Sequence, residues 1–291
     1  MTVYDLLPQM TEPTCVALGM FDGLHLGHQA VIRAMTGACA DRLLPAVFTF
    51  SGARRDSLQT GRQRDQILAG MGVKAVFQPA FASLKNCEPE RFVREILRGK
   101  LNARAAVCGG NFRFGKAAAA GADELLRLCA QNGVDCVVVP LLEVEGDADS
   151  STRIRACVRN GDIPGANALL GREFSFDFAV VEGNRLGRTI GWPTINQPFP
   201  DGFVLPRFGV YASAALVGGR WLPAVTNIGK KPTVGSDAVL AETWIRDYAG
   251  DLYGEHVTVA LRAFLRPERK FESLEALRAQ IEIDGAKAAV Y

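Results

Sequence analysis

Through its first half the chain alternates between short apolar runs and stretches of helical period, and this alternation limits the possible folds more than any other feature. Runs at residues 15–19, 45–50, 74–78, 105–108 and 134–140 read as buried strands. Between them, residues 27–39, 62–71, 89–101 and 122–132 carry apolar side chains at helical spacing. Glu88, Pro89 and Glu90 precede Phe92, Val93, Ile96 and Leu97, so proline and acids fall in the first turn, where a helix start favours them. A helix between successive strands returns the chain to its starting edge, so the strands run parallel in a doubly wound α/β sheet. Ligands of such sheets bind beyond the carboxyl ends of the strands, which directs attention to the residues just after each run.

The pattern changes over residues 160–173. Asn160, Gly161, Asp162, Pro164 and Gly165 form a turn-rich stretch, and Leu169, Leu170 and Gly171 close a short helical piece. Beyond it, residues 176–182, 210–217, 221–228, 239–248 and 256–265 are β-type, separated by Gly/Pro-rich loops. That spacing predicts a compact antiparallel barrel. A last helix over 274–283 starts after Ser273, a suitable N-cap, and should pack against it. Two domains are expected, residues 1–170 and 171–291. The 48% hydrophobic content is enough for each to bury its own core.

A net charge of +2 gives no electrostatic case for nucleic acid or a membrane surface as a partner. The seven cysteines are odd in number, contain no C-x-x-C pair and sit mostly in apolar runs, so they read as reduced, buried small hydrophobes. No basic segment leads into an apolar stretch at the start, and no run approaches membrane-spanning length. A cytoplasmic protein with no obligate protein partner is expected.

Immediately after the first apolar run stand Gly19, Met20, Phe21, Asp22, Gly23, Leu24, His25, Leu26, Gly27 and His28. This is a glycine-rich turn opening a helix. His25 and His28, three residues apart, share a face of its first turn. Free N–H groups and the positive end of the helix dipole there favour a phosphate. The chain has three histidines, two of them in this window, and no nearby Cys or carboxylate completes a zinc set. Phosphate chemistry is the stronger reading against an incidental helix-start pair. A second anion-binding constellation follows the fifth run: Ser150, Ser151 and Thr152, then Arg153 and Arg155, opening another helix. Alone it would be a capping sequence. Paired with the histidines, it supplies the other half of what nucleotidyl transfer needs, one element on the α-phosphate and one on the departing pyrophosphate.

H-x-G-H with a distal S-S-T-x-I-R resembles the nucleotidyltransferase superfamily. The surrounding residues 19–29 narrow the resemblance to the bacterial bifunctional riboflavin kinase/FMN adenylyltransferases, the FAD synthetases. The loop Gly110, Asn111, Phe112, Arg113, Phe114, Gly115 matches that family's G-x-[ND]-F-x-F-G. In the second half, the stretch 183–196 carries Gly183, Gly187, Arg188 and Gly191 before Pro193-Thr194-Ile195-Asn196, which resembles the P-T-A-N signature of riboflavin kinases. Residues 227–233 resemble N-I-G-x-x-P-T, and residues 241–245 the strand bearing the family's catalytic glutamate. Residues 251–254 and 265–271 complete the series. The resemblance runs from about Val16 to Asp284 and implies a Rossmann-like nucleotidyltransferase domain followed by a riboflavin-kinase-like β-barrel with a terminal helix.

The family's activities would be ATP-dependent phosphorylation of riboflavin to FMN and adenylylation of FMN to FAD. By matched position, Glu242 would be the kinase base, with Thr194 and Asn196 holding Mg²⁺ and ATP phosphates. Both residues offer neutral oxygens on one face of an extended strand, which suits Mg²⁺ and phosphate. Residues 183–191 would form a flap contacting nucleotide through Gly183, Gly187, Arg188 and Gly191. His25 and His28 would be catalytic in adenylyl transfer. Gly19, Phe21, Asp22, Gly23, Gly27, Asn111, Ser150, Ser151, Thr152 and Arg155 would bind nucleotide. Phe112, Phe114, Asn227, Arg266 and Phe271 would border the flavin.

Three departures from the family pattern stand out. After Thr49-Phe50 the family has P-H-P-type residues, whereas here Ser51, Gly52, Ala53, Arg54 and Arg55 follow. Alanines at 117–120 replace a basic and polar stretch after the F-x-F-G loop. Trp244 stands where the family's E-x-H has histidine. The first two predict adenylyl transfer slower than phosphorylation, and the third altered flavin packing. Two alternatives are a riboflavin kinase whose first domain has lost most adenylyl transfer, and a flavin- or nucleotide-binding protein without catalysis. A class I aminoacyl-tRNA synthetase shares H-x-G-H but would need a lysine-rich second signature and a tRNA-binding extension.

Overall fold

Two sheets of opposite character appear in the computed structural model, which describes residues 1–39, 42–52, 55–144, 146–183, 192–233 and 236–291. By internal contacts the chain divides into two compact units, residues 1–53 with 61–150, and residues 54–60 with 151–291.

The first unit holds β1 (Thr2–Tyr4), β2 (Thr14–Leu18), β3 (Leu44–Phe48), β4 (Ala75–Phe77), β5 (Ala103–Gly109) and β6 (Asp135–Val139) in the order β1-β4-β3-β2-β5-β6, every pair parallel. Helices cover both faces, and strand alternation sorts the side chains between them. Val16 and Leu18 enter one core with Phe92, Ile96, Leu97 and Leu125. Cys15 and Ala17 enter the other with Val31, Ile32, Met35 and Leu68. Each large apolar side chain buried this way contributes about 1.5–3 kcal/mol, which is why β2 is apolar on both faces. The doubly wound expectation holds.

The strand order reverses between β2 and β5, since β3 and β4 lie on one side of β2 and β5 on the other. A crevice opens at such a switch point beyond the strands' carboxyl ends. Two of the predicted motifs, residues 19–28 after β2 and 110–115 after β5, flank it. Beyond β6 a two-stranded hairpin, β7 (Glu143–Val144) and β8 (Asp147–Ala148), leads to Asp149. Short elements escape the sequence pattern. Strand β1 and the helix Phe81–Leu84 span three and four residues, too few to show a period. The helix beginning at Pro89 widens to π geometry over Phe92–Lys100, with Leu101 N–H reaching Ile96 O at 2.8 Å. Phe92, Val93, Ile96 and Leu97 all remain buried through it.

In the second unit β9 (Phe174–Phe176), β10 (Thr194–Pro198), β11 (Gly209–Val217), β12 (Arg220–Thr233), β13 (Ser236–Ile245) and β14 (Thr258–Arg266) pair antiparallel in the order β10-β13-β12-β11-β14-β9. After β9 the chain crosses to the far edge, where Val181 N–H donates to Asn196 O at 2.8 Å, so the sheet curls into the expected barrel. A hydroxyl chain runs through it: Ser213 Oγ lies 2.8 Å from Thr226 Oγ1, which lies 2.9 Å from Thr243 Oγ1, all buried. A hydroxyl can both donate and accept, so Thr226 bonds both of its neighbours, which makes burial of three polar groups tolerable.

The last helix, Leu274–Ala288, is capped by Ser273 as expected, its hydroxyl accepting from Ala276 N–H. It meets the barrel through polar groups. Asp284 is 2% exposed and takes a two-pronged hydrogen bond from Arg266 at 2.7–3.2 Å. The helix Ile163–Leu170 buries Ile163, Leu169 and Leu170, and Gly171 ends it in the left-handed conformation at φ 64°, which glycine adopts without strain. Asn167 ties it to the barrel, accepting from Phe174 N–H at 2.7 Å and donating to Leu261 O at 3.1 Å.

Candidate active sites

The turn after β2 is held by its own packing. Phe21 and Leu24 adopt positive φ, 47° and 42°, a conformation that costs a non-glycine residue about 1 kcal/mol or more. Burial of both side chains in the core holds it. His25 then caps the helix Leu26–Ala38, and His28 lies one turn on. Their rings stand 3.7 Å apart between centroids, so the two imidazoles share a face as their spacing predicts. Phe21 packs against His28 at 5.3 Å. At 1% exposure, the Phe21 side chain is core and supports the histidine from beneath. Asp22 and Gly23 are buried in the same turn, and Gly19 is half-buried.

A residue absent from the sequence motif enters here. Asp149, its side chain fully buried, places Oδ2 2.7 Å from His25 Nδ1 and accepts from Gly27 N–H at 2.7 Å. It is 124 residues from His25 in sequence, and the sole hint was its place just before the Ser150–Ser151–Thr152 run.

In the loop after β5, Asn111 is exposed and Phe112 half-buried. Phe114 is 7% exposed and lies in the core, stacked on Phe112 at 5.7 Å and tilted against Phe92 at 5.6 Å. Of the two aromatics predicted to border flavin, Phe112 is thus the more accessible. Ser150 ends the first unit, and Ser151, Thr152 and Arg155 lie on the helix Ser151–Asn160, which groups with the second. Arg155 Nε donates to Asp56 O at 2.7 Å.

The barrel residues come together through strand register. Asn196 on β10 pairs with Glu242 on β13, Glu242 with Asn227 on β12, Asn227 with Val210 on β11, and Val210 with Arg266 on β14. Residues directly opposite one another share a face, so five strands present one row containing four predicted site residues. Two residues along, Thr194 pairs with Trp244 and Trp244 with Val225, adding a second row on that face. A pocket of about 290 Å³ opens over both rows. Thr194, Glu242, Asn227, Arg266 and Phe271 all line it, with Glu268 beside them. Trp192 and Trp244 meet edge-on at 4.4 Å and form an aromatic wall. Asn227 Nδ2 donates to Glu268 Oε1 at 3.1 Å, and Arg266 faces Phe271 at 5.7 Å.

A second pocket of about 480 Å³ lies along the other face of β13, lined by Thr243, Ile245, Tyr248, Asp251 and Tyr253. Thr194 borders both pockets. Gly183 approaches β10 so closely that a Cβ there would lie 2.5 Å from Asn196 Nδ2 and displace that side chain. Gly187, Arg188 and Gly191 lie outside the described residues, as do Ala53 and Arg54.

The seven cysteines are free, five of them buried, and burial pushes the Cys108 thiol up to about 12, well away from reactivity. Among the described residues, no helix is long and apolar enough to cross a membrane.

Two family models match the chain, FAD synthetase over residues 7–153 and riboflavin kinase over residues 170–291. Curated relatives bearing the description bifunctional riboflavin kinase/FMN adenylyltransferase include one from Escherichia coli K12, 34% identical over 96% of this chain and 93% of its own length. One from Bacillus subtilis is 31% identical over 99% and 95%. A crystal structure from Streptococcus pneumoniae, described as a macrolide-efflux protein, is 27% identical and superimposes with a TM-score of 0.89 over 99% of both chains.

Proposed function

From the premise that the chain belongs to the bifunctional riboflavin kinase/FMN adenylyltransferase family, we propose a division of its residues between the two reactions. The enzyme is a transferase that uses ATP twice, first making FMN from riboflavin and then FAD from FMN. The observation that carries the kinase assignment is the cross-strand row Asn196, Glu242, Asn227, of which Glu242 and Asn227 line one pocket with Thr194.

In the first reaction the ribityl 5′-hydroxyl of riboflavin attacks the γ-phosphorus of ATP. The bond from that phosphorus to the β,γ-bridging oxygen breaks, and ADP leaves with the electron pair. Glu242 takes the hydroxyl proton. The pocket of about 290 Å³ receives the flavin ring against Trp192 and Trp244, with Arg266, Phe271 and Asn227 at its border. The pocket of about 480 Å³ receives the nucleoside of ATP. Thr194, which borders both, marks where phosphates pass between them.

The donors present fit Mg²⁺. Thr194 and Asn196 offer neutral oxygens on one face of β10, and no cluster of three His, Cys, Asp or Glu side chains that would form a closed protein cage occurs among the described residues. A cation held by few protein ligands and by substrate phosphates is the usual arrangement for Mg²⁺, which neutralises charge developing on the transferred group.

In the second reaction a phosphate oxygen of FMN attacks the α-phosphorus of ATP, and pyrophosphate leaves as the α,β-bridging bond breaks. His25 and His28 stabilise the charge on those oxygens, and Gly19, Gly23, Asn111 and Ser150 line the nucleotide's path. Free thiols fit a reducing compartment, the cytoplasm.

Incubation with riboflavin, ATP and Mg²⁺, with FMN and FAD separated over time, tests this. FMN should appear first and FAD more slowly, because the altered loop after Phe50 removes one positioned phosphate donor, worth roughly a hundredfold in rate. FMN without FAD would leave a kinase alone. Binding without either product would make the chain a flavin or nucleotide carrier.

We assign adenylyl transfer to residues 1–170 and phosphorylation to 171–291. The helices Ser151–Asn160 and Ile163–Leu170 nevertheless fold with the second unit. A fragment of residues 171–291 loses Ile154, Val158, Ile163, Leu169 and Leu170, five buried aliphatic side chains at about 1.5–3 kcal/mol each. A fragment of residues 151–291 should therefore melt at a clearly higher temperature while both form FMN. Equal melting temperatures would show that the helices add nothing to the barrel.

A further inference from the structure

We propose that Asp149 is a positioning residue for adenylyl transfer, fixing the ring orientation and tautomer of His25; this rests on the assignment of His25 to that reaction. The carboxylate is acceptor-only when ionised. With Oδ2 2.7 Å from His25 Nδ1, the proton of the neutral ring sits on Nδ1, and it is the doubly protonated ring, with N–H at Nε2 as well, that donates to phosphate oxygens. Which nitrogen of a histidine is available is set by the bond the other one makes.

Three observations carry the assignment beyond an ordinary ion pair. The same oxygen accepts from Gly27 N–H at 2.7 Å, so Asp149 is anchored to the helix start and cannot swing independently of His25. Its side chain is fully buried and that of His25 is 9% exposed, so the contact is shielded from water that would otherwise compete for it. Asp149 immediately precedes Ser150, so the chain segment that orients His25 continues into the second predicted phosphate-binding run.

The transfer itself is unchanged: the FMN phosphate oxygen bonds to the α-phosphorus, and pyrophosphate departs with the electrons of the α,β-bridge. What Asp149 adds is that the His25 ring keeps one orientation, its Nδ1 proton committed to the carboxylate, while those oxygens gain charge. Removing a partner that orients a functional histidine typically costs 10- to 100-fold.

The test uses the full chain with Asp149→Ala and Asp149→Asn. FAD formation from supplied FMN is read as separate kcat and KM, and riboflavin phosphorylation serves as an internal control. Asp149→Ala should lower kcat for FAD by about 10- to 100-fold with little change in the KM for ATP. Asp149→Asn, whose amide oxygen can accept from both Gly27 N–H and His25 Nδ1–H, should recover most of that loss. The ring ¹⁵N signature of His25, assigned with His25→Gln, should show an Nδ1-protonated imidazole in the parent and lose it in Asp149→Ala.

A fall in melting temperature with kcat unchanged would make Asp149 a helix cap only and overturn the proposal. Faster FAD formation in Asp149→Asn would overturn it too, by showing that the carboxylate blocks a phosphate seat. If the parent forms no FAD, the reaction assigned to His25 fails, and the ¹⁵N signature still decides whether Asp149 sets its tautomer.

Discussion

A Glu242→Gln enzyme is expected to form FMN about two to four orders of magnitude more slowly than the parent. The substitution keeps the shape of the side chain and removes the group that takes the hydroxyl proton. Its neighbours in the row, Asn196 and Asn227, are amides without basic character, so neither replaces it. Glu268 is the carboxylate to watch, because it lines the same pocket and meets Asn227 at 3.1 Å. A residual rate that vanishes in Glu242→Gln/Glu268→Gln would identify it as the backup. FAD formation from supplied FMN should stay at the parental rate, which separates loss of the base from loss of the fold. Normal phosphorylation in Glu242→Gln would remove the assignment of the base.

His28→Ala should cut FAD formation by about 10²- to 10³-fold and leave FMN formation intact. The ring lies tilted against that of His25 at 3.7 Å and packs on Phe21, so its loss removes one phosphate donor and one wall of the other histidine's cage. His28→Gln, which keeps a hydrogen-bonding group in similar volume, should retain more activity than His28→Ala. Circular dichroism of both variants checks that the helix Leu26–Ala38 is preserved. FAD formation unaffected in His28→Ala would mean that the histidine pair is no part of this reaction.

The doubly wound sheet was legible because its central strand is apolar on both faces and each crossover helix repeats its pattern over ten or more residues. The barrel is legible as antiparallel strands, and Glu242, Asn196 and Asn227 stand out by motif. The pairing itself could not be read, since register depends on contacts between strands distant in sequence. Asp149 escaped for the same reason. An acid in a loop has no period, and its partner lies 124 residues away. Phe114 was named with Phe112 as a flavin neighbour, yet strand-like alternation cannot tell which of two aromatics two residues apart turns inward. Packing against Phe92 decides it.

Adjacent residues of β13 face opposite ways, Glu242 toward the pocket of the kinase row and Thr243 into the hydroxyl chain with Thr226 and Ser213. The buried threonine is therefore the address label of the carboxylate. A copy of the barrel assembled with β13 one residue out of step would bury a glutamate among hydroxyls and turn a threonine toward riboflavin. It would be compact, and it would not turn over slowly; it would not turn over at all. Substitutions at Ser213 and Thr226 should accordingly lower the titre of competent enzyme in a preparation while each competent molecule keeps its full turnover, a distinction that counting active sites reveals and a bulk rate conceals.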